Sequence, residues 1–309
     1  MTRAIRFGHQ FRSTGDAAPI EAAQRAEAAG FDTFLLPDHV GGGFSPMVAL
    51  AAAAVGTSSI RLGTFVLNAD MRNPVQLAWE ATTLDQASNG RFELGLGAGH
   101  TPHEYAATGI PLETPRVRKE ALAERVEIIR RLVDGDTVTI DGTHHHLVDA
   151  SIQRGRQPRM PILVGGNGAA LLAHAGAHAD IIGLQGLGRT GPDGHTHEVR
   201  WTSDHLDDQL DQVRAGAGVR VGEIELNALV QVVEVTDDAE RSLTAMAGEM
   251  GDGVGPDDLA QVPYVLVGTV EEIAEKILHC RDRWGITYFA VRALDEFVPV
   301  IERVRRLEA

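Results

Sequence analysis

The sequence predicts an α/β protein of the (β/α)8 TIM barrel class, and three observations carry that expectation. Eight short runs of strand character alternate with helical patterns from one end of the chain to the other. Strict alternation implies parallel strands joined by right-handed crossovers, and eight units favour a closed barrel over an open doubly wound sheet. The 309 residues exceed the roughly 250 of a typical barrel. The surplus is localised, so the reading is one domain over 1–309 with insertions after strands 4, 6 and 7.

In chain order the strand runs are 4–10 (AIRFGHQ), 33–38 (TFLLPD), 60–67 (IRLGTFVL), 91–96 (RFELGL), 161–165 (PILVG), 180–185 (DIIGLQ), 226–235 (LNALVQVVEV) and 287–293 (TYFAVRA). The intervening helices, each with apolar residues spaced at three and four, are expected at 17–29, 46–56, 74–88, 116–134, 168–177, 203–215, 237–249, 270–284 and 295–307. In 116–134 the residues Leu122, Val126, Ile129 and Val133 make one apolar stripe. The surplus comprises 136–149, a hairpin on an Asp141-Gly142 turn; 186–204, a polar glycine-rich loop; and 250–263, a Gly/Asp/Pro-rich connection.

The 43 acidic and 28 basic residues leave a net charge of -15. Such a surface repels phosphate backbones and anionic lipid, so nucleic acid and membranes are not expected partners. The one cysteine, Cys280, excludes an internal disulfide and multi-cysteine metal sites. No apolar run reaches the ~20 residues of a membrane span, and the N-terminal segment lacks a signal-peptide core, which predicts a cytoplasmic protein. Its only lysines, Lys119 and Lys276, fall inside helical patterns, so Schiff-base and pyridoxal phosphate chemistry are not expected.

A barrel of this class builds its active site where the strands end. The first strand ends in His9-Gln10, the second in Pro37-Asp38-His39 and the third in Asn68. The fourth runs into Gly95, Gly97, Gly99 and His100, the fifth into Gly165-Gly166-Asn167-Gly168 and the sixth into Gln185-Gly186. His39 can exchange a proton near neutrality while Asp38 orients a neighbour or cofactor; alone, the pair reads equally as a solvated strand end. The 165–168 turn lies between an apolar strand and an Ala-rich helix, where backbone N–H groups converge on an anion, although a turn without a ligand has the same glycines. The glycines at 95, 97 and 99 fit either close strand packing or room for a flat ring. Metal is not expected: His144, His145 and His146 lie on an expected strand and cannot share an ion, His174 and His178 lack the glutamate of an HExxH motif, and the first strand reads Gly8-His9-Gln10 rather than His-x-His.

Four blocks carry a resemblance: LLPDHV at 35–40, RLGTFVLNADMRNPVQLAWEATTLDQASNGRFELGLGAG at 61–99, RMPILVGGNG at 159–168 and PYVLVGTVEEIAEKI at 263–277. Together they are similar to the bacterial luciferase-like family of flavin and deazaflavin oxidoreductases, within the branch that uses coenzyme F420, an 8-hydroxy-5-deazaflavin. The resemblance implies that Asp38 and His39 lie against the deazaflavin, with His39 near the hydride-transfer carbon. It implies a non-prolyl cis peptide at Phe65-Val66 beneath the ring. Gly165, Gly166, Asn167 and Gly168 match the phosphate loop, with Gln185 nearby, and Asn68 is expected among the cofactor-binding residues. His100 replaces a glutamate that acts on substrate in one sugar-phosphate dehydrogenase of the branch, and His103 replaces an asparagine at its cofactor; both departures argue against that substrate. His9 and His100 are placed in the substrate pocket, His103 at the cofactor. The reading is an F420-dependent oxidoreductase acting on a small molecule as a homodimer. Its rivals are an FMN-dependent monooxygenase, a flavin- or deazaflavin-binding protein without turnover, suggested by the lack of an obvious acid beside His39, and a metal-dependent hydrolase. The loops expected to line the pocket, 40–46, 100–116 and 186–204, carry no charge cluster.

Overall fold

The computed structural model describes residues 3–12, 18–191, 194, 196–250 and 253–309. Residue 17 of the expected first helix, residues 192, 193 and 195 of the expected loop, and residues 251 and 252 of the expected connection lie outside that set. The eight barrel strands are Arg6–Gln10, Thr33–Leu36, Arg61–Thr64, Phe92–Gly97, Ile162–Gly165, Ile181–Leu184, Glu225–Leu229 and Ile286–Val291. Each pairs in parallel with its sequence neighbour, and the eighth pairs with the first, which closes the cylinder. After Phe65 and Val66 the third strand resumes at Leu67–Asn68 against the fourth. The bond between Phe65 and Val66 is cis, as the resemblance implied.

The barrel interior is layered. At the N-terminal end of the strands, Arg6 donates to Glu93 at 2.6 Å and to Glu225 at 2.6 Å, and Arg61 donates to the same Glu93. Burial opposes the Glu93 charge, but Arg6 and Arg61 outweigh it and hold the carboxyl below its ordinary range. The Arg6 guanidinium lies 3.7 Å over the ring of Tyr288. Above this charged plug sits an apolar layer of Leu35, Leu163, Ile181, Leu229, Tyr288 and Ala290, together with Phe65. The larger core lies outside the cylinder, between strands and helices.

Glycines decide how that upper layer closes. A side chain at Gly97 or Gly165 would press on Val66, one at Gly183 would press on Phe65, and one at Gly95 would run into the carbonyl oxygen of Thr64. Of the two readings open for Gly95 and Gly97, close packing is therefore the one observed.

Insertions follow strands 4, 6 and 7 as expected, with differences of detail. The hairpin pairs Val138–Asp141 with His146–Ala150 around a four-residue turn at 142–145, where the Gly142 N–H donates to the His145 carbonyl at 2.9 Å. Only His146 of the three adjacent histidines is therefore on a strand. The segment after strand 6 is not a plain loop: Leu187–Thr190 pairs antiparallel with His197–Val199. The run 226–235 breaks at residues 230 and 231, and Val232–Val235 pairs with Val265–Gly268 outside the barrel. Two helices were not expected, Pro102–Thr108 and Pro256–Gln261.

Replacing Gly95 with alanine should lower stability by about 1–3 kcal/mol, because the obstacle is backbone and cannot rotate away. Gly222→Ala, where nothing lies within reach of an added methyl, should change it by less than about 0.5 kcal/mol. Urea unfolding of both variants checks the pair, and equal midpoints would contradict the packing argument.

Candidate functional site

The C-terminal ends of the strands surround a cavity of about 390 Å³. Its lining includes Asp38, His39, Phe65, Val66, Asn68, His100 and Gln185 of the residues expected there. Asp38 is buried beside the resumed third strand. Its carboxylate accepts from the Asn68 N–H at 2.9 Å and from both terminal nitrogens of Arg72, one at 3.1 Å. The role this geometry gives Asp38 is to hold Asn68 and Arg72 in place beneath the cavity. Arg72 was not singled out from the sequence, since the partner of a buried aspartate cannot be read from spacing.

His39 does have an acid beside it. Its Nδ1 lies 2.8 Å from Oε1 of Glu104, a carboxylate only 3% exposed, whereas nearly half of the His39 side chain is open to the cavity side. With the carboxylate as acceptor, the proton sits on Nδ1, and Nε2 is left as the exchangeable nitrogen. Glu104 comes from the unexpected helix Pro102–Thr108. Pro102 at its first turn and Gly109 with φ 71° at its end are the signals that could have found it. His103, expected at the cofactor, is one residue away on the same short helix, is exposed, and is not among the lining residues.

His9 is also displaced. Alternation along the first strand turns Gln10 toward the cavity and His9 toward the helical layer, where it is buried against Phe31 at 5.5 Å and Phe34 at 6.3 Å. Burial, then the charge of Arg25, pushes its pKa down to about 4, so it is neutral at pH 7. In its place Gln10 donates to the Phe65 carbonyl at 2.8 Å and accepts from Arg292 at 2.9 Å. Arg292 also donates to Gln231 at 2.9 Å. Arg12, Gln231, Arg292 and His197 all line the cavity and all escaped the sequence reading. His100 sits edge-on to both His39 and His197, with ring centres 6.3 and 5.4 Å apart.

Gly165, Gly166, Asn167 and Gly168 lie beside the cavity rather than in its lining. Asn167 donates to the carbonyls of Leu187 at 2.6 Å and Gly188 at 3.0 Å, which ties this turn to the hairpin that forms one wall. Gly168, with φ 95°, starts the helix Ala169–His178 without a side-chain cap. The ammonium of Lys119 lies 3.3 Å from Oδ1 of Asn167, so a cation stands beside the uncapped helix start. Burial, then Arg118, lowers the Lys119 pKa. Among the described residues no group of three or more His, Cys, Asp or Glu side chains is placed to hold a metal ion. His145 instead meets Glu124 at 3.0 Å, His146 meets Asp141 at 2.7 Å, and His174 stacks on His178.

The model of the luciferase-like monooxygenase family matches residues 12–288. F420-dependent glucose-6-phosphate dehydrogenase from Amycolatopsis mediterranei is 32% identical over 169 residues, 52% of this chain and 51% of that protein. The enzyme of the same name from Beutenbergia cavernae is 35% identical over 173 residues, 53% of this chain and 51% of that protein. The chain thus spans about half the length of the curated relatives it matches. The fold is similar to that of the coenzyme F420 dependent tetrahydromethanopterin reductase from Methanopyrus kandleri, with a TM-score of 0.72, 19% identity and 97% of both chains covered.

The ring of His39 gives a test of the geometry independent of any ligand. Nitrogen-15 spectra of the neutral imidazole should report the Nδ1–H tautomer, and Glu104→Ala should abolish that preference. The same tautomer in both proteins would mean that Glu104 does not set it.

Proposed function

We propose that this chain, which belongs to the luciferase-like monooxygenase family, is an oxidoreductase that transfers hydride between coenzyme F420 and a small organic substrate. The observation that carries the reading is the identity of 32% and 35% over half the chain to F420-dependent dehydrogenases. The residues present suit such a group. A planar ring needs an apolar shelf, an anionic tail needs donors, and a reacting carbon needs a proton-exchanging neighbour. Phe65 and Val66 offer the shelf, and the uncapped helix start at Gly168 with Lys119 offers the donors. His39 with Glu104 offers the exchangeable proton.

When bound, the deazaflavin supplies a two-electron carrier of hydride. In our reading His39 handles the proton that accompanies the hydride: Nε2 takes it from a substrate hydroxyl on oxidation or returns it to a carbonyl oxygen on reduction. Glu104 orients the ring and stabilises its protonated form, while Asp38 keeps Asn68 and Arg72 fixed beneath the site. Gly165, Gly166, Asn167 and Gly168 form the phosphate-binding turn in this reading. Among the described residues no helix is long and apolar enough to cross a membrane. A homodimer through the helical side of a single barrel domain is supported by the exposed Val48, Val55 and Trp79.

Parallel titration with F420 and FMN tests the cofactor, and NADH-linked oxygen uptake with added flavin tests the monooxygenase reading. Tight F420 binding without oxygen uptake is expected; tight FMN binding with none for F420 would overturn the assignment. His39→Ala should retain F420 and lose at least about 100-fold in turnover. Lys119→Gln should weaken F420 by about tenfold while leaving a tail-less deazaflavin unaffected. Near wild-type turnover in the first variant, or equal losses for both ligands in the second, would remove the role concerned.

A further inference from the structure

The charges facing the cavity do not balance. Asp38 is neutralised by Arg72, and Glu104 faces His39. Arg12 and Arg292 line the same cavity, from the segment after the first strand and from the end of the eighth, and among the described residues neither guanidinium has a carboxylate partner. A cation this far inside a protein of net charge -15 would ordinarily attract one of its 43 acidic side chains. Arg292 is held instead by two neutral amides, Gln10 on Nε and Gln231 on Nη1, both at 2.9 Å. Amide carbonyls orient a guanidinium without cancelling its charge. An arginine has five N–H donors, so the Gln10 and Gln231 bonds leave three, one on Nη1 and two on Nη2.

Burial, reinforced by the nearby Arg12, pushes the pKa of Arg292 down to about 10, which leaves it fully charged at neutral pH. Two like charges side by side in a cleft are unfavourable until an anion comes between them. Arg12 is exposed at the rim while Arg292 is partly buried behind it, an order that suits an anion entering from solvent. Gln10 also donates to the Phe65 carbonyl, so the guanidinium is tied by one side chain to the shelf assigned above to the cofactor ring.

We propose that the substrate is an organic oxyanion, a carboxylate or a phosphate ester, whose anionic group is received by Arg292 and Arg12 while its reacting carbon faces the His39 side of the cavity. This deepens the hydride-transfer reading and rests on it for the identity of the reacting partner. Arg292 is the specificity-determining residue: its fork fixes the distance between anionic group and reacting carbon, and Arg12 captures the anion at the mouth. Uncharged alcohols and ketones of the same size lack that anchor and are poor substrates.

The test uses the full chain, with and without F420, and calorimetric titration with inorganic phosphate, acetate, lactate and succinate. Wild type, Arg292→Gln, Arg292→Lys and Arg12→Gln are compared, with F420 and a tail-less deazaflavin titrated in parallel. The expected result is that wild type binds at least one of these anions. Both glutamine variants weaken that anion by about ten- to a hundredfold, Arg292→Lys recovers part of the loss, and F420 affinity changes by less than about threefold. No anion binding by wild type, or equal anion affinity in wild type and both glutamine variants, overturns the proposal. A loss of F420 affinity in Arg292→Gln that the tail-less deazaflavin does not share assigns the guanidinium to the cofactor's own anionic tail and overturns it too. Should Arg292→Gln fail to fold, the exposed Arg12→Gln carries the same comparison. Anion binding that follows these variants in a protein that does not bind F420 supports the oxyanion site and sinks only the cofactor reading.

Discussion

The site depends on how Phe65 and Val66 are accommodated in the mouth of the barrel. Their side chains fit because the strand positions around them carry none: Gly97 and Gly165 face Val66, Gly183 faces Phe65, and Gly95 lies against Thr64. Interiors packed to crystal-like density do not absorb extra methyl groups cheaply, so these absences are as specific as any contact. The polar groups of the site are referred to the same segment. Gln10 bonds the Phe65 carbonyl, and the resumed strand after Val66 brings the Asn68 N–H to Asp38.

Around that shelf the acidic and basic groups are held differently. The acidic groups, Asp38 and Glu104, are buried and committed to Arg72 and His39. The cations at the end of the eighth strand and beside the glycine turn, Arg292 and Lys119, rest on amide oxygens of Gln10, Gln231 and Asn167. The chain is strongly acidic overall yet keeps its spare positive charge at the strand ends, which is where an anionic ligand would gain most from it.

Much of this was legible in the sequence, and the failures have physical causes. All eight barrel strands were found because a parallel strand buried on both faces leaves a continuous apolar run with little ambiguity. The positions that line the cavity from one strand end, such as Asp38, His39 and Asn68, were found for the same reason. His9 was misplaced because neighbouring residues on a strand face opposite ways, and the face can be assigned only once the register with Val291 and Phe34 is known. Glu104 was not paired with His39 because its helix is seven residues long, too short for periodicity to reveal, and because the two lie 65 residues apart. Arg12 and Arg292 are separated by nearly the whole chain. Only closure of the eighth strand on the first makes a pair of them, and no charge count along a single loop could have done so.

We propose that this barrel mouth seats a deazaflavin on the Phe65 and Val66 shelf with His39 beside it. A crystal structure of the protein grown with F420 tests it most directly. The expected result is the ring against Phe65 and Val66, its reacting edge toward His39, and its phosphate at Gly165, Gly166, Asn167 and Gly168 beside Lys119. Density for the ring elsewhere in the barrel, or for the tail at Arg292 with the glycine turn empty, would contradict it.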